Sequence, residues 1–238
     1  MRHLPAIGFH YIPHPDFLKS FLHIPIIQKR ILTANLILNI AVLLGSSFLT
    51  IFLWRQAHMT EILPFYFSQF PIIVLCFLVV GTIKIPLKAK KLMQAGIIFY
   101  LLSFASLIIF HESAIDYLWL IGILYGLAIG FHATGGLSLA YLETTDLTRD
   151  KYYGISAGFN YLTLIFIPFL SSFVLSFKSP SVINNYYFLF SVACVIFIIA
   201  IFFTVKLPNT YLPKLKLKEI FTPLKQKAWR VIFFLVFA

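Results

Sequence analysis

Residues 117–142 read YLWLIGILYGLAIGFHATGGLSLAYL and contain no Asp, Glu, Lys or Arg. An α-helix rises about 1.5 Å per residue, so roughly 20 mostly apolar residues cross a hydrocarbon core about 30 Å thick. The stretch is long enough for that crossing, and it lacks the apolar–polar alternation of strands in a membrane β-barrel. We therefore predict a membrane-spanning helix here.

Comparable apolar runs recur along the whole chain. Six are long enough to span, and they cover residues 31–54, 62–83, 92–110, 117–142, 153–177 and 182–205. With 60% hydrophobic and 11% charged residues, the chain is far from the roughly one-quarter charged composition of a soluble domain. The composition therefore predicts an all-α, polytopic membrane helix bundle.

We divide the chain accordingly into four parts. They are a cytoplasmic tail over residues 1–30, six spanning helices over 31–205, a basic cytoplasmic linker over 206–230 and the start of a seventh span over 231–238. The last run is too short to cross a bilayer. We expect it to be the cut edge of a span, so that the chain is the first half of a larger protein.

The basic residues predict the orientation of these spans. Of the 19 Lys and Arg residues, only Arg55 and Lys178 fall in connections on one side of the membrane. The others lie in the tail, in the second, fourth and last connections, and by the positive-inside rule these face the cytoplasm. We expect a multi-pass protein of the plasma membrane with a cytoplasmic N-terminus. Because the net charge of +11 is spread between spans, we expect no binding of nucleic acid.

Polar side chains form stripes on three of the predicted spans. Such groups are costly in hydrocarbon, so they either bond to neighbouring helices or line a water-accessible cavity. His132 has an imidazole that could carry a proton near neutral pH. Both interpretations stay open for these side chains. The candidates for a substrate cavity are Asn35, Asn39 and Ser46 on the first span, His132, Thr134 and Ser138 on the fourth, and Asn160 on the fifth.

Glycines recur at every fourth residue in two of the spans. Gly122, Gly126 and Gly130 follow this spacing, as do Gly154 and Gly158, and small residues so spaced let two helix backbones approach closely. The sequence holds no metalloprotease motif, phosphate-binding glycine loop or nucleophile elbow. We expect no enzymatic activity and no cofactor or metal.

Two connections resemble those of the major facilitator superfamily of transporters. After the second span, Gly81 and a basic cluster with Lys90 and Lys91 match the short motif that joins spans two and three in that family. Ile85 and Pro86 stand in place of its Asp-Arg pair, and Lys88 stands in place of its second Gly. After the fourth span, an acidic-then-basic segment resembles the family's entry into span five. That segment contains Glu143, Asp146, Arg149 and Asp150.

This resemblance implies a fold and a function. The fold is the N-terminal six-span half of a transporter, with three spans repeated in inverted orientation, and its missing partner is a second six-span half. The two connections would form a cytoplasmic gate, in which the acidic segment pairs with Lys88, Lys90 or Lys91. The function would be secondary transport of a small solute by alternating access, with the solute neutral or amphiphilic. The alternative is a non-transporting membrane scaffold or sensor, or an inactive remnant of a carrier.

Overall fold

Helices make up nearly all of the chain that the computed structural model describes, which is residues 24–56, 59–82, 86–176 and 182–212. The predicted seventh span, most of the tail and most of the linker lie outside these ranges. The α-helices are α1 Ile26–Ser46, α2 Leu49–Gln56, α3 Met59–Thr82, α4 Ala89–Phe110, α5 Leu118–Leu142, α6 Asp146–Ser176 and α7 Val182–Val205. A 3₁₀-helix, His111–Tyr117, joins α4 to α5.

Five stretches of helix are long and apolar enough to cross a membrane. They are Ile26–Gln56, Thr60–Thr82, Ala89–Leu142, Asp146–Leu175 and Asn184–Val205. The all-helical class and the membrane-spanning character predicted from the sequence are therefore confirmed, and the chain is an integral membrane protein.

The helices extend beyond the predicted spans where charged residues continue them. α1 begins at Ile26, five residues before the predicted first span, and α6 begins at Asp146, seven residues before the predicted fifth. An apolar run indicates where a helix enters the hydrocarbon core. The backbone hydrogen bonds of the helix can begin before that point, in the hydrated interface of the membrane. The segment with Asp146, Arg149 and Asp150 is consequently the first turns of α6 and not an open loop.

The first stretch contains a break at Ser47 and Phe48. No proline causes it. The Ser47 hydroxyl donates to the carbonyl oxygen of Leu43 at 2.5 Å, and the Ser47 amide donates to the same oxygen at 3.0 Å. A serine that bonds one turn back along its own helix often bends it. The helix resumes as α2, whose Phe52 packs edge-on against Phe190 of α7.

The helices pack in a defined sequence of neighbours. α3 packs on α5, α5 on α4, α4 on α7, α7 on α1, and α1 on α6. Stacked aromatic rings fill the middle of the bundle, where Tyr100 and Phe104 of α4 lie against Phe197 of α7 at centroid distances of 5.5 and 5.7 Å. α3 and α6 stand at the two ends of this sequence, and both expose long apolar faces.

Glycines bring α5 into close contact with both of its neighbours. A methyl group at Gly122, Gly126 or Gly130 would collide with α3, for example with the Phe65 carbonyl or the Gln69 carbonyl. On the other side of α5, Gly135 lies against the backbone of Met93 in α4. The spacing thus marks a real packing surface on α5. The similar spacing at Gly154 does not, because nothing lies within 4 Å of a methyl group placed there.

Candidate functional site

A polar cavity of about 160 Å³ lies between α1, α5 and α6. Four of the predicted cavity residues, Asn35, Asn39, His132 and Asn160, line it together, although they come from three helices. Helix geometry explains how they meet, since residues four apart share one face. The full lining is Asn35, Asn39, His132, Ala133, Gly136, Leu137, Ala140, Tyr152, Tyr153, Ser156 and Asn160.

Two of the amides in the cavity bond to each other across the helices. The Asn39 amide nitrogen donates to the Asn160 side-chain oxygen at 2.6 Å. The bond joins α1 to α6 and takes up one donor and one acceptor. Each amide can form more hydrogen bonds than this single one, so both keep capacity for a molecule in the cavity.

Tyr152 lines the cavity but was not among the residues predicted from the sequence. Its side chain is 1% exposed, and its hydroxyl has no hydrogen-bond partner among the described residues. The Asn35 amide faces this hydroxyl without meeting hydrogen-bond geometry. Tyr152 stands eight residues, about two helical turns, before Asn160, so following the same helix face back from Asn160 would have found it.

His132 and Gly136 belong to the wall that α5 contributes. The imidazole packs against the ring of Tyr100 at a centroid distance of 6.2 Å. A methyl group at Gly136 would lie 3.4 Å from the Asn35 side-chain oxygen and 3.7 Å from His132 Nε2. These are ordinary contact distances, so the missing side chain of Gly136 leaves space between an amide and an imidazole.

The other predicted cavity residues lie elsewhere. The Thr134 hydroxyl donates to the Gly130 carbonyl oxygen of its own helix at 2.7 Å. Ser138 borders a shallow depression with Leu137, Tyr141 and Leu142. Ser46 lies beside the Tyr125 hydroxyl. These hydroxyl groups are outside the cavity between α1, α5 and α6.

The predicted gate residues of the two connections have different contacts. Arg149 pairs with Asp146 at 2.7 Å and lies over the ring of Tyr141 at 4.4 Å. It also donates to the hydroxyl and the carbonyl oxygen of Thr144. Asp150 and Lys91 are exposed, and Gly81 lies in the last turn of α3. Within the described residues, the acidic segment makes no ion pair with Lys88, Lys90 or Lys91.

The lysines instead contact the segment that follows α7. Lys90 Nζ donates to the Val205 carbonyl oxygen at 2.5 Å, and Lys88 Nζ lies 5.4 Å from the ring centroid of Tyr211. The backbone is tied here as well, because the Ala89 amide donates to the Thr210 carbonyl oxygen at 2.9 Å.

Glu143 connects this segment to α1. Its carboxylate accepts a hydrogen bond from the Thr210 hydroxyl, and its carbonyl oxygen accepts one from the buried Gln28 amide at 2.9 Å. Gln28 also donates to the Thr148 hydroxyl at 3.0 Å. Glu143 therefore holds three elements together at the end of the bundle where α5 stops.

The described lining of the cavity offers hydrogen-bond donors and acceptors. Amides, hydroxyls and an imidazole can both donate and accept hydrogen bonds, and no Asp, Glu, Lys or Arg is among the described lining residues. In the part of the chain described, no group of three or more His, Cys, Asp or Glu side chains could hold a metal ion.

Comparison with known proteins gives no family for this chain. No protein-family model matches it, no curated protein matches it, and no solved structure matches it.

Proposed function

We propose that the chain is the N-terminal six-span half of a secondary transporter of the major facilitator type, and that it moves a small solute by alternating access. The observation that carries the proposal is the cavity between α1, α5 and α6. Three helices turn Asn35, Asn39, His132, Tyr152 and Asn160 towards one space, and the Tyr152 hydroxyl in it has no hydrogen-bond partner among the described residues.

The proposed six spans follow from the length of the stretch Ala89–Leu142. α4 has 22 residues and α5 has 25, so each is about 33–38 Å long and can cross a core of about 30 Å by itself. The two helices pack against each other, which supports a chain that turns back at the 3₁₀-helix between them. In this proposal the five apolar stretches make six crossings.

The pattern of helix packing supports an inverted repeat of three spans. In the proposed repeat, α1, α3 and α4 are the first three spans and correspond to α5, α6 and α7, in that order. Under this correspondence, the contact of α3 with α5 is equivalent to that of α6 with α1. The contact of α4 with α5 is likewise equivalent to that of α7 with α1, and the contact of α4 with α7 is unchanged. Such a repeat is common in secondary transporters, whose sites lie between the repeats.

The orientation and the partners belong to the same proposal. The positive-inside rule puts the start of α1 and the end of α5 in the cytoplasm, so the cavity lies in the cytoplasmic half of the bundle. A second six-span half would close the open side of the cavity. The solute is a small uncharged molecule that forms hydrogen bonds, because the lining offers donors and acceptors but no fixed charge.

Uptake measurements test the proposal. We would express the complete transporter, with both six-span halves, in cells and measure the entry or loss of a panel of radiolabelled uncharged solutes. Asn39→Leu, His132→Leu and Asn160→Leu should each reduce transport at least several-fold while the amount of folded protein in the membrane stays the same. Thr134→Val is the matched control, because that hydroxyl bonds to its own helix outside the cavity.

A non-transporting scaffold or sensor is the second candidate, and the hydrogen bond from Asn39 to Asn160 favours it. That bond joins α1 to α6, as a purely structural contact would. In this case Asn39→Leu, His132→Leu and Asn160→Leu should all lower the amount of folded protein, and no solute in the panel should move with the unmodified protein.

A further inference from the structure

A second depression lies apart from the polar cavity, between the start of α1 and the end of α7. It is a groove of about 690 Å³. Three cations border it, Lys29, Arg30 and Lys206. The rest of its lining is Ile26, Thr33, Phe202, Phe203 and Val205.

The position of the groove is where hydrocarbon gives way to water. α1 begins at Ile26 and α7 ends at Val205, so the apolar side chains come from the span ends and the cations from just beyond them. Phe202 is 68% exposed and Ile26 is 61% exposed. Apolar surface of this kind at a span end faces lipid, and basic pockets between spanning helices bind the head groups of anionic lipids.

The electrostatics of the helix ends also favour an anion. α1 starts without a side-chain cap and without an acidic residue in its first turn, so its first amides add positive potential. The carbonyl end of α7 would oppose this, but Lys90 Nζ bonds to the Val205 carbonyl oxygen at 2.5 Å. Among the described residues, no Asp or Glu lines the groove.

We propose that this groove binds one anionic phospholipid of the cytoplasmic leaflet. The phosphate lies against Arg30 and Lys206, with Lys29 beside them, and an acyl chain follows Phe202 and Phe203. A free phosphate would use the cations but leave the aromatic wall without a function, which is why the occupant is a lipid. The proposal does not depend on whether the protein transports a solute.

Retention of lipid during purification tests it. We would extract the protein in a mild detergent and measure the bound phospholipids by mass spectrometry. The unmodified protein should retain anionic phospholipid in preference to phosphatidylcholine. Arg30→Gln should weaken binding about five-fold, and Arg30→Gln with Lys206→Gln about 30-fold, on the basis of roughly 1 kcal/mol for each cation near the membrane surface. Phe202→Ala should also reduce retention, since it removes part of the wall for the acyl chain.

Lys91→Gln is the matched control. Lys91 is an exposed lysine in the first turn of α4 and is not part of the groove, so its removal changes the net charge equally and should leave retention unchanged. An equal loss of lipid in this variant would mean a diffuse surface attraction and would overturn the proposal.

A titration of the unmodified protein decides the matter even if the double variant does not fold. Adding phosphatidylglycerol to nanodiscs of phosphatidylcholine should raise the unfolding temperature in a saturable way. An equal effect of inorganic phosphate in detergent would indicate a free-anion site, and no effect of either would indicate that something else covers the groove. Both results would refute the lipid site.

Discussion

The hydroxyl of Tyr152 is buried in a position where no described residue bonds to it. Leaving such a group without a partner costs about 1–3 kcal/mol in a protein interior. Because the hydroxyl lies on the wall of the cavity, a bound molecule can form the missing hydrogen bond and offset this free-energy cost.

Replacing this residue should separate stability from function. We expect Tyr152→Phe to keep or raise the thermal stability of the protein in detergent, since an unpaired polar group is removed, and to reduce solute transport. Tyr153→Phe is the control, because Tyr153 also belongs to the lining but is 38% exposed and should change neither quantity much. A fall in stability with Tyr152→Phe would mean that the hydroxyl is already bonded.

Gly136 allows the cavity to be filled without disturbing the backbone. In a protein with Cys76→Ala and Cys194→Ala, a cysteine introduced by Ser156→Cys in the cavity should react with a water-soluble thiol reagent. Adding Gly136→Ala should slow this reaction several-fold, because its methyl group occupies the space beside Asn35 and His132. Gly154→Ala places the same methyl group in open space and should leave the rate unchanged. Equal rates in both variants would argue against a water-filled cavity.

The sequence predicted the amide and imidazole groups of the site better than its hydroxyl groups. Asn35, Asn39, His132 and Asn160 cannot satisfy their side chains within their own helix, so avoidance of lipid drives them into one shared space. A Thr or Ser can bond to a carbonyl one turn back, as Thr134 does. Its position in a stripe therefore says little about a cavity.

At the scale of the helix, close contacts of α5 organise the bundle. A methyl group at Gly96 of α4 would overlap the backbone of His132 in α5. α4 and α5 can stay in contact only while this position is a glycine, since backbone atoms cannot rotate away as a side chain can.

The variant Gly96→Ala should consequently destabilise the bundle by about 1–3 kcal/mol, which is the usual cost of overpacking a core. The measurement is the unfolding temperature in detergent together with the yield of monodisperse protein. Gly154→Ala is again the comparison. It should be neutral or slightly stabilising, because alanine favours a helix over glycine by about 1 kcal/mol.

α1 and α6 share the hydrogen bond between Asn39 and Asn160, and its strength can be measured. A double-mutant cycle with Asn39→Leu and Asn160→Leu should give a coupling energy of about 0.6 kcal/mol, the average for such bonds in membranes. A value well above about 1.7 kcal/mol would exceed the known range. It would favour the purely structural function of this contact.

Hydrophobicity does not predict a helix boundary where charged residues continue the helix beyond its apolar run. The predicted start of the sixth run, Val182, is also where α7 begins in the described part of the chain. At α6 the prediction missed the first two turns, since Asp146, Arg149 and Asp150 extend the helix without adding hydrophobicity. The bend at Ser47 was missed because a serine within an apolar run gives no sign that its hydroxyl will bond backwards.

For the whole molecule, the arrangement of charges is the basis of the proposed orientation, which thiol labelling can test. In the protein without native cysteines, Glu112→Cys should react with a membrane-impermeant reagent in intact cells. Leu147→Cys, at a side chain 96% exposed at the start of α6, should react only after the membrane is permeabilised. The opposite result would reverse the proposed orientation. The neighbour relations between helices could not be predicted from hydrophobicity, because every span looks alike to that measure.

Lys88 and Tyr211 are paired in an isolated antiparallel β-bridge. This pairing bears on the order in which parts of the protein can assemble during synthesis. The Ala89 amide reaches its partner, the Thr210 carbonyl oxygen, only after roughly 120 more residues have been synthesised. At about 5–20 residues per second, that delay is on the order of ten seconds. Until then the Ala89 amide bonds to water or to another group in place of this partner. This end of the bundle is therefore completed only once α7 has been synthesised.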